Sequence, residues 1–198
     1  MRQPYGLLLL CCLAAGGAAW AQSGTLVIAD FEGERAEARS GLALWPYADE
    51  QFGGTSEARV ALIHPGADGS RGAIRISFRV TADAPLAFAG AWAMVGPEGL
   101  ATDLSAYRGV RFYARSKDGG AFAAGVVRFP GRIVRYTMPF QVRPEWTVVE
   151  LPFDKFQQVP PAGAWPLDPK DVTSIGIGAA PQRRGQFEID VDRIELYR

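Results

Sequence analysis

Glu188, Asp190 and Asp192 alternate with Phe187, Ile189 and Val191 near the C-terminus. A period of two puts the three carboxylates on one face of a β-strand. Like charges at that spacing repel unless the strand carries them into solvent or a cation neutralises them. Calcium suits such a group, because it accepts carboxylate and carbonyl oxygens with undemanding geometry. The apolar pattern then changes phase: Ile194 and Leu196 continue on even numbers after an odd-numbered run. One residue must be absorbed, which predicts a bulge at Asp192-Arg193.

A second group is basic. Arg75, Arg79, Arg111, Arg115, Arg128 and Arg135 occupy the polar side of alternating segments, with Tyr113 among them. If those strands neighbour one another in one sheet, the guanidiniums and the phenol form a ligand-binding surface for carboxylated sugars or an acidic protein, through forked hydrogen bonds and stacking. The same pattern also describes a solvated face whose arginines pair with Glu150, Glu188 and Asp190. Trp165, in the proline-rich stretch 160–166, is positioned to stack on a ligand or to plug one end of the fold. Trp92 and Trp146 alternate with small or polar neighbours and read as core anchors.

Catalytic groups are scarce. His64 is the single histidine, no nucleophile elbow occurs, and no carboxylate pair stands out as a glycosidase centre. The expectation is a binding protein without enzymatic activity, with a carboxylate-based glycan-active enzyme as the alternative.

The scaffold that must position these groups is all-β. Ile74, Ile76, Phe78 and Val80 face one way and Arg75, Ser77 and Arg79 the other, and Val134 to Phe140 repeat the arrangement. Strands are predicted over 25–31, 58–63, 72–80, 88–95, 109–115, 121–129, 132–141, 145–151, 174–179 and 186–197, with a helical turn at 153–156. Many short strands with turn punctuation predict a β-sandwich or jelly roll. Its core is expected to include Phe31, Ile76, Phe78, Phe112, Trp146, Val148, Phe187 and Ile189.

The stretch from Asp103 to Ser116, with Asp30-Phe31-Glu32 before it and Glu145 to Phe153 after it, resembles the complex I intermediate-associated protein family. Gln51-Phe52-Gly53-Gly54-Thr55-Ser56, preceded by Trp45 and Asp49, resembles that family's acidic, glycine-glycine-x-serine segment. The chain also resembles family-11 carbohydrate-binding modules, and both resemblances imply a galactose-binding-like β-jelly-roll. The likeness to carbohydrate-binding modules further implies a structural calcium joining the first strand to the last through Glu32 and Asp192, with Asp190 as neighbour. The function implied is non-catalytic binding, either in protein assembly or in recognition of a poly- or oligosaccharide.

The N-terminus reads as a secretory signal. Arg2 precedes an apolar stretch from Leu7 to Ala15, and Ala19-Trp20-Ala21 offers a small-x-small cleavage site before Gln22. Residues 1–21 are thus expected to be removed, leaving 22–198 as one exported domain, periplasmic or secreted, with no membrane span. Both cysteines, Cys11 and Cys12, lie in the removable segment, so the exported domain has no disulfide or thiolate chemistry. Lysines plus arginines equal aspartates plus glutamates, 21 of each. No basic block tracks nucleic acid. The expected partner is an unidentified protein or a glycan, bound by a monomer.

Overall fold

The computed structural model describes residues 24–83, 87–159, 165–180 and 183–198. The signal segment, and the part of the proline-rich stretch before Trp165, lie outside the described residues. Alternating apolar residues generate strands throughout: β1 (Leu26–Ala29), β2 (Trp45–Ala48), β3 (Glu57–Ile63), β4 (Ala73–Val80), β5 (Ala89–Met94), β6 (Gly109–Arg115), β7 (Gly120–Arg128), β8 (Val134–Val142), β9 (Thr147–Pro152), β10 (Gln157–Gln158), β11 (Val172–Ala179) and β12 (Gly185–Tyr197). Short 3₁₀ turns occur at Glu50–Phe52, Pro97–Gly99 and Phe153–Lys155, the last where a helical turn is predicted.

Two antiparallel sheets result. The first runs β3-β4-β12-β6-β9, with β1 also on β12, and the second runs β10-β8-β7-β11-β5-β2. Their inner faces interdigitate through rings from both sides. Phe78 and Phe187 of the first sheet stack at 5.0 Å, Phe122 of the second meets Phe187 at 5.8 Å, and Phe112 meets Phe140 edge-on at 5.3 Å. Such aromatic contacts add to the area they remove from water. Six of the eight expected core residues are buried there: Phe31, Ile76, Phe78, Phe112, Phe187 and Ile189.

Trp146 and Val148 are corrections. In the β6–β9 register Phe112 faces Val149 and Tyr113 faces Val148, so Val149 and Leu151 point inward. Val148 is 43% exposed on the outer face.

The predicted bulge organises the first sheet. β4 follows one edge of β12 as far as Val191 opposite Ile74, and β1 takes over at Ile194 opposite Ala29. Between them the β12–β6 register shifts, and Arg193 adopts φ +48°. The handover opens a gap beside Asp192, into which the segments after β1 and β3 fold.

Candidate functional site

The outer face of the first sheet collects most of the arginines, and cross-strand register supplies each with a carboxylate. Asp190 lies opposite both Arg75 and Arg115. Arg75 Nε donates to Asp190 Oδ1 at 2.7 Å and Arg115 Nε donates to Oδ2 at 2.9 Å, while Glu188 approaches Arg75 at 3.4 Å. Arg111 Nε donates to Glu195 Oε1 at 2.7 Å, and Arg193 donates to the other oxygen at 3.2 Å. Arg79 pairs with Glu57, and Arg115 lies 4.5 Å over the Trp146 ring. The Asp190 hydrogen bond holds the Arg75 guanidinium above its ordinary pKa. This face is a self-neutralised ladder of cross-strand pairs.

The six arginines do not share one surface. Arg128 and Arg135 sit on β7 and β8, in the second sheet. Arg128 is buried, donating to the Lys170 carbonyl at 2.7 Å and to Asp168 at 3.3 Å, so it pins the loop before β11. Arg128 also faces inward and not to the polar side: it has the parity of the buried Phe122, Ala124 and Val126 and pairs with buried Val134, whereas Arg135 opposite Val127 is on the outer face.

The carboxylates also separate. Both Asp190 oxygens accept from guanidiniums, Oδ1 from Arg75 and Oδ2 from Arg75 and Arg115. Asp192 is buried in the gap beside the bulge, where Oδ2 accepts the Ala67 N–H at 2.9 Å and the Ser70 hydroxyl. Its Oδ1 is buried without a hydrogen-bond partner. Burial pushes the Asp192 carboxyl above its ordinary pKa, and the nearby Glu32 charge adds to the rise. Glu32 accepts the Arg71 N–H and lines the same cleft of about 440 Å³ with Asp68 and Ser70. Among the described residues no three His, Cys, Asp or Glu side chains converge as a metal cage. Two carboxylates with one orphaned, buried oxygen nevertheless fit a cation completed by carbonyl oxygens.

The glycine-glycine segment has a structural explanation. Asp49 is fully buried and accepts the Ser56 N–H at 3.0 Å, the Ser56 hydroxyl at 2.6 Å and the Phe88 N–H at 3.2 Å. Gly53 closes the turn at φ +80°, and a Cβ on Gly54 would collide with the Asp49 carboxylate. The motif is a carboxylate-centred clasp that fixes the end of β2 against β5.

β2 and β5 carry what the sequence reading missed. Trp45, Tyr47 and Trp92 share the outer face of the second sheet, since Trp45 pairs with Trp92 and Tyr47 with Gly90. Trp92 faces Gly176 of β11, which faces Gly125 of β7. The indole lies flat across both: a Cβ on Gly125 would come within 2.6 Å of it, and one on Gly176 would collide with it. Tyr47 stacks on Trp92 at 4.8 Å and 22°, with its hydroxyl over Gly90 and Gly178. Burial against this floor raises the Tyr47 pKa, opposed by the charge of Arg135. Phe88 and Phe52 extend the rings toward the Asp49 clasp. Trp165, 68% exposed, does not plug the fold; its N–H donates to Gln158 Oε1 at the opposite edge. The legible signal was Ile175-Gly176-Ile177-Gly178, a strand with core residues on one side and none filling the other.

Residues 30–191 match the family described as Complex I intermediate-associated protein 30 (CIA30). The chain belongs to this CIA30 family. Comparison with curated proteins by sequence gives no match. The CIA30 domain superposes on the family 11 carbohydrate-binding module of cellulosomal cellulase Lic26A-Cel5E of Clostridium thermocellum with TM-score 0.67 and 18% identity, covering 88% of this chain and 94% of that one. A family 11 carbohydrate-binding module from Clostridium thermocellum in complex with a β-1,3-1,4-mixed-linked tetrasaccharide matches at TM-score 0.67 and 19% identity, over 88% and 95% of the two chains. A family 30 module of cellulase Cel9D-Cel44B from Clostridium thermocellum follows at TM-score 0.62 and 15% identity, over 87% and 96%. At these identities the likeness is one of fold.

Proposed function

We propose that this chain is an exported, monomeric, non-catalytic binding domain that takes a glycan on the outer face of its second sheet. One observation carries the reading: Trp92 is laid flat over glycines of two adjacent strands, with Tyr47 stacked on it, so an aromatic platform faces outward. Sugar rings present C–H faces that pack on such platforms, and the aromatic body supplies large contact at small entropic cost. The structural neighbours include a module described in complex with a tetrasaccharide, which supports the same reading. Affinity gel electrophoresis across a panel of polysaccharides tests it. Retardation by at least one glycan, lost in Trp92→Ala and kept in Arg79→Ala, is the expected result; no retardation by any removes the proposal.

Assembly of a protein complex is the second reading, favoured by the CIA30 family match. A defined partner purified with the chain from the cell envelope, in the absence of any polysaccharide binding, would select it. Export rests on the N-terminal pattern, and an intact mass starting at Gln22 supports it whereas retention of Met1 to Ala21 does not.

A calcium ion beside the bulge belongs to the same proposal. Asp192 and Glu32 would hold it, and its charge would neutralise both carboxylates where β1 and β12 meet. Thoroughly demetallated protein should melt higher in calcium, by about 2.7 kcal/mol of stability at a hundredfold excess over Kd. Asp192→Ala should abolish the rise, and a melting curve indifferent to millimolar calcium ends the metal proposal.

A further inference from the structure

We infer that the glycan is a polyuronate and that Arg135 selects its carboxylate; this rests on the glycan reading of the second sheet's outer face. Trp92, Gly176, Gly125 and Thr137 form one row across β5, β11, β7 and β8. The Trp92 indole covers Gly176 and Gly125, and Arg135 lies two residues along β8 from Thr137, about 7 Å away by strand rise. Arg135 is exposed, and its own row runs through Val127 and Ser174 to Met94, two residues along β5 from Trp92, so the guanidinium borders the row that the indole covers. The β8 backbone at Arg135 also accepts the Val159 N–H at 2.9 Å, which brings β10 and the Trp165 side of the face alongside.

Charge complementarity decides the occupant. The outward residues of these strands are Trp45, Tyr47, Trp92, Met94, Ser174, glycines, alanines, Val127, Arg135, Thr137, Pro139 and Gln141, without an aspartate or glutamate. Among the described ion pairs Arg135 takes part in none, in contrast to Arg75, Arg79, Arg111 and Arg115 on the other face. A sugar stacked on Trp92 would displace water from around this guanidinium, strengthening its interaction with any charge the sugar carries. A neutral sugar would leave that donor fork underused. A C6 carboxylate is planar and matches the fork with two parallel hydrogen bonds. A sulfate ester offers more oxygens than this one cation can serve.

Calorimetric titration of the purified chain with de-esterified oligogalacturonate, with its methyl ester and with a sulfated neutral oligosaccharide tests the inference. The acid should bind about tenfold more tightly than the ester, the scale of one charge-assisted hydrogen bond. High salt should narrow the gap, Arg135→Gln should bring the acid down to the ester, and Arg79→Gln should change neither. Equal affinity for acid and ester in the wild type overturns the selection while the glycan reading stands. Preference for the sulfated sugar overturns the choice of carboxylate. Binding of none of these or any other sugar overturns the glycan reading and this inference with it.

Discussion

The two outer faces of the sandwich spend their side chains in opposite ways. The first sheet exposes Arg75, Arg79, Arg111 and Arg115, yet each has a carboxylate across the strand, and Asp190 alone is held by two of them. The second sheet exposes a single strand-borne cation, Arg135, on a floor of glycine under Trp92 and Tyr47. A face crowded with charge has little left to offer a ligand when its charges satisfy one another. The proposed recognition surface is instead the one where an aromatic stack and a single guanidinium face outward.

The largest expected effect lies beneath both faces. Phe122→Ala removes a ring shared by the two sheets and should cost about 3–5 kcal/mol in chemical denaturation. A loss below about 1 kcal/mol would mean that the sheets are not coupled through this cluster. Gly176→Val separates the faces more sharply. Its side chain would have to displace the Trp92 indole, costing roughly 1–3 kcal/mol and abolishing glycan retention. Retention unchanged in this variant would break the comparison.

Asp190→Ala is the matched change on the first sheet. It leaves Arg115 without its carboxylate and Arg75 with Glu188 alone, and because both arginines are partly exposed the expected loss is about 1–2 kcal/mol, with glycan retention unaltered. Weakened retention would move the site to the arginine ladder. The smallest effect is at the rim. Hydrogen bonds from Thr55 and then Thr81 hold Asp83 at about 2, below its ordinary 3.8. A depressed carboxyl pKa stabilises the fold above 3.8, and that contribution is lost as pH falls from 3.8 toward 2. Melting temperature followed across this window should fall less steeply in Asp83→Asn than in the wild type.

Much of this architecture was legible in residue alternation. The period-two segments marked both sheets, and the phase change between Val191 and Ile194 located the bulge and the gap beside Asp192. Alternation could not say which strands are neighbours, which is why Arg135 was grouped with arginines of the other sheet; Arg128 has the parity of the buried Phe122, Ala124 and Val126 and faces inward at the end of β7. The edge strand β9 has apolar residues on both faces, so Trp146 and Val148 read as inward. β2 escaped because four residues containing Pro46 make a weak strand signal. Trp92 looked like a core anchor because a flat indole is accommodated by glycines on β7 and β11, remote in sequence and brought under it by pairing.

The most direct test of the account is a two-dimensional NMR titration of the isotope-labelled chain with the glycan it retains most strongly. The account predicts that shifts concentrate on the Trp92 indole N–H, on Gly125, Gly176 and Gly178, and on Arg135 and Thr137, with the amides of Arg75, Arg79 and Arg115 unmoved. Shifts confined to the first-sheet arginines, with the glycine floor silent, would contradict it.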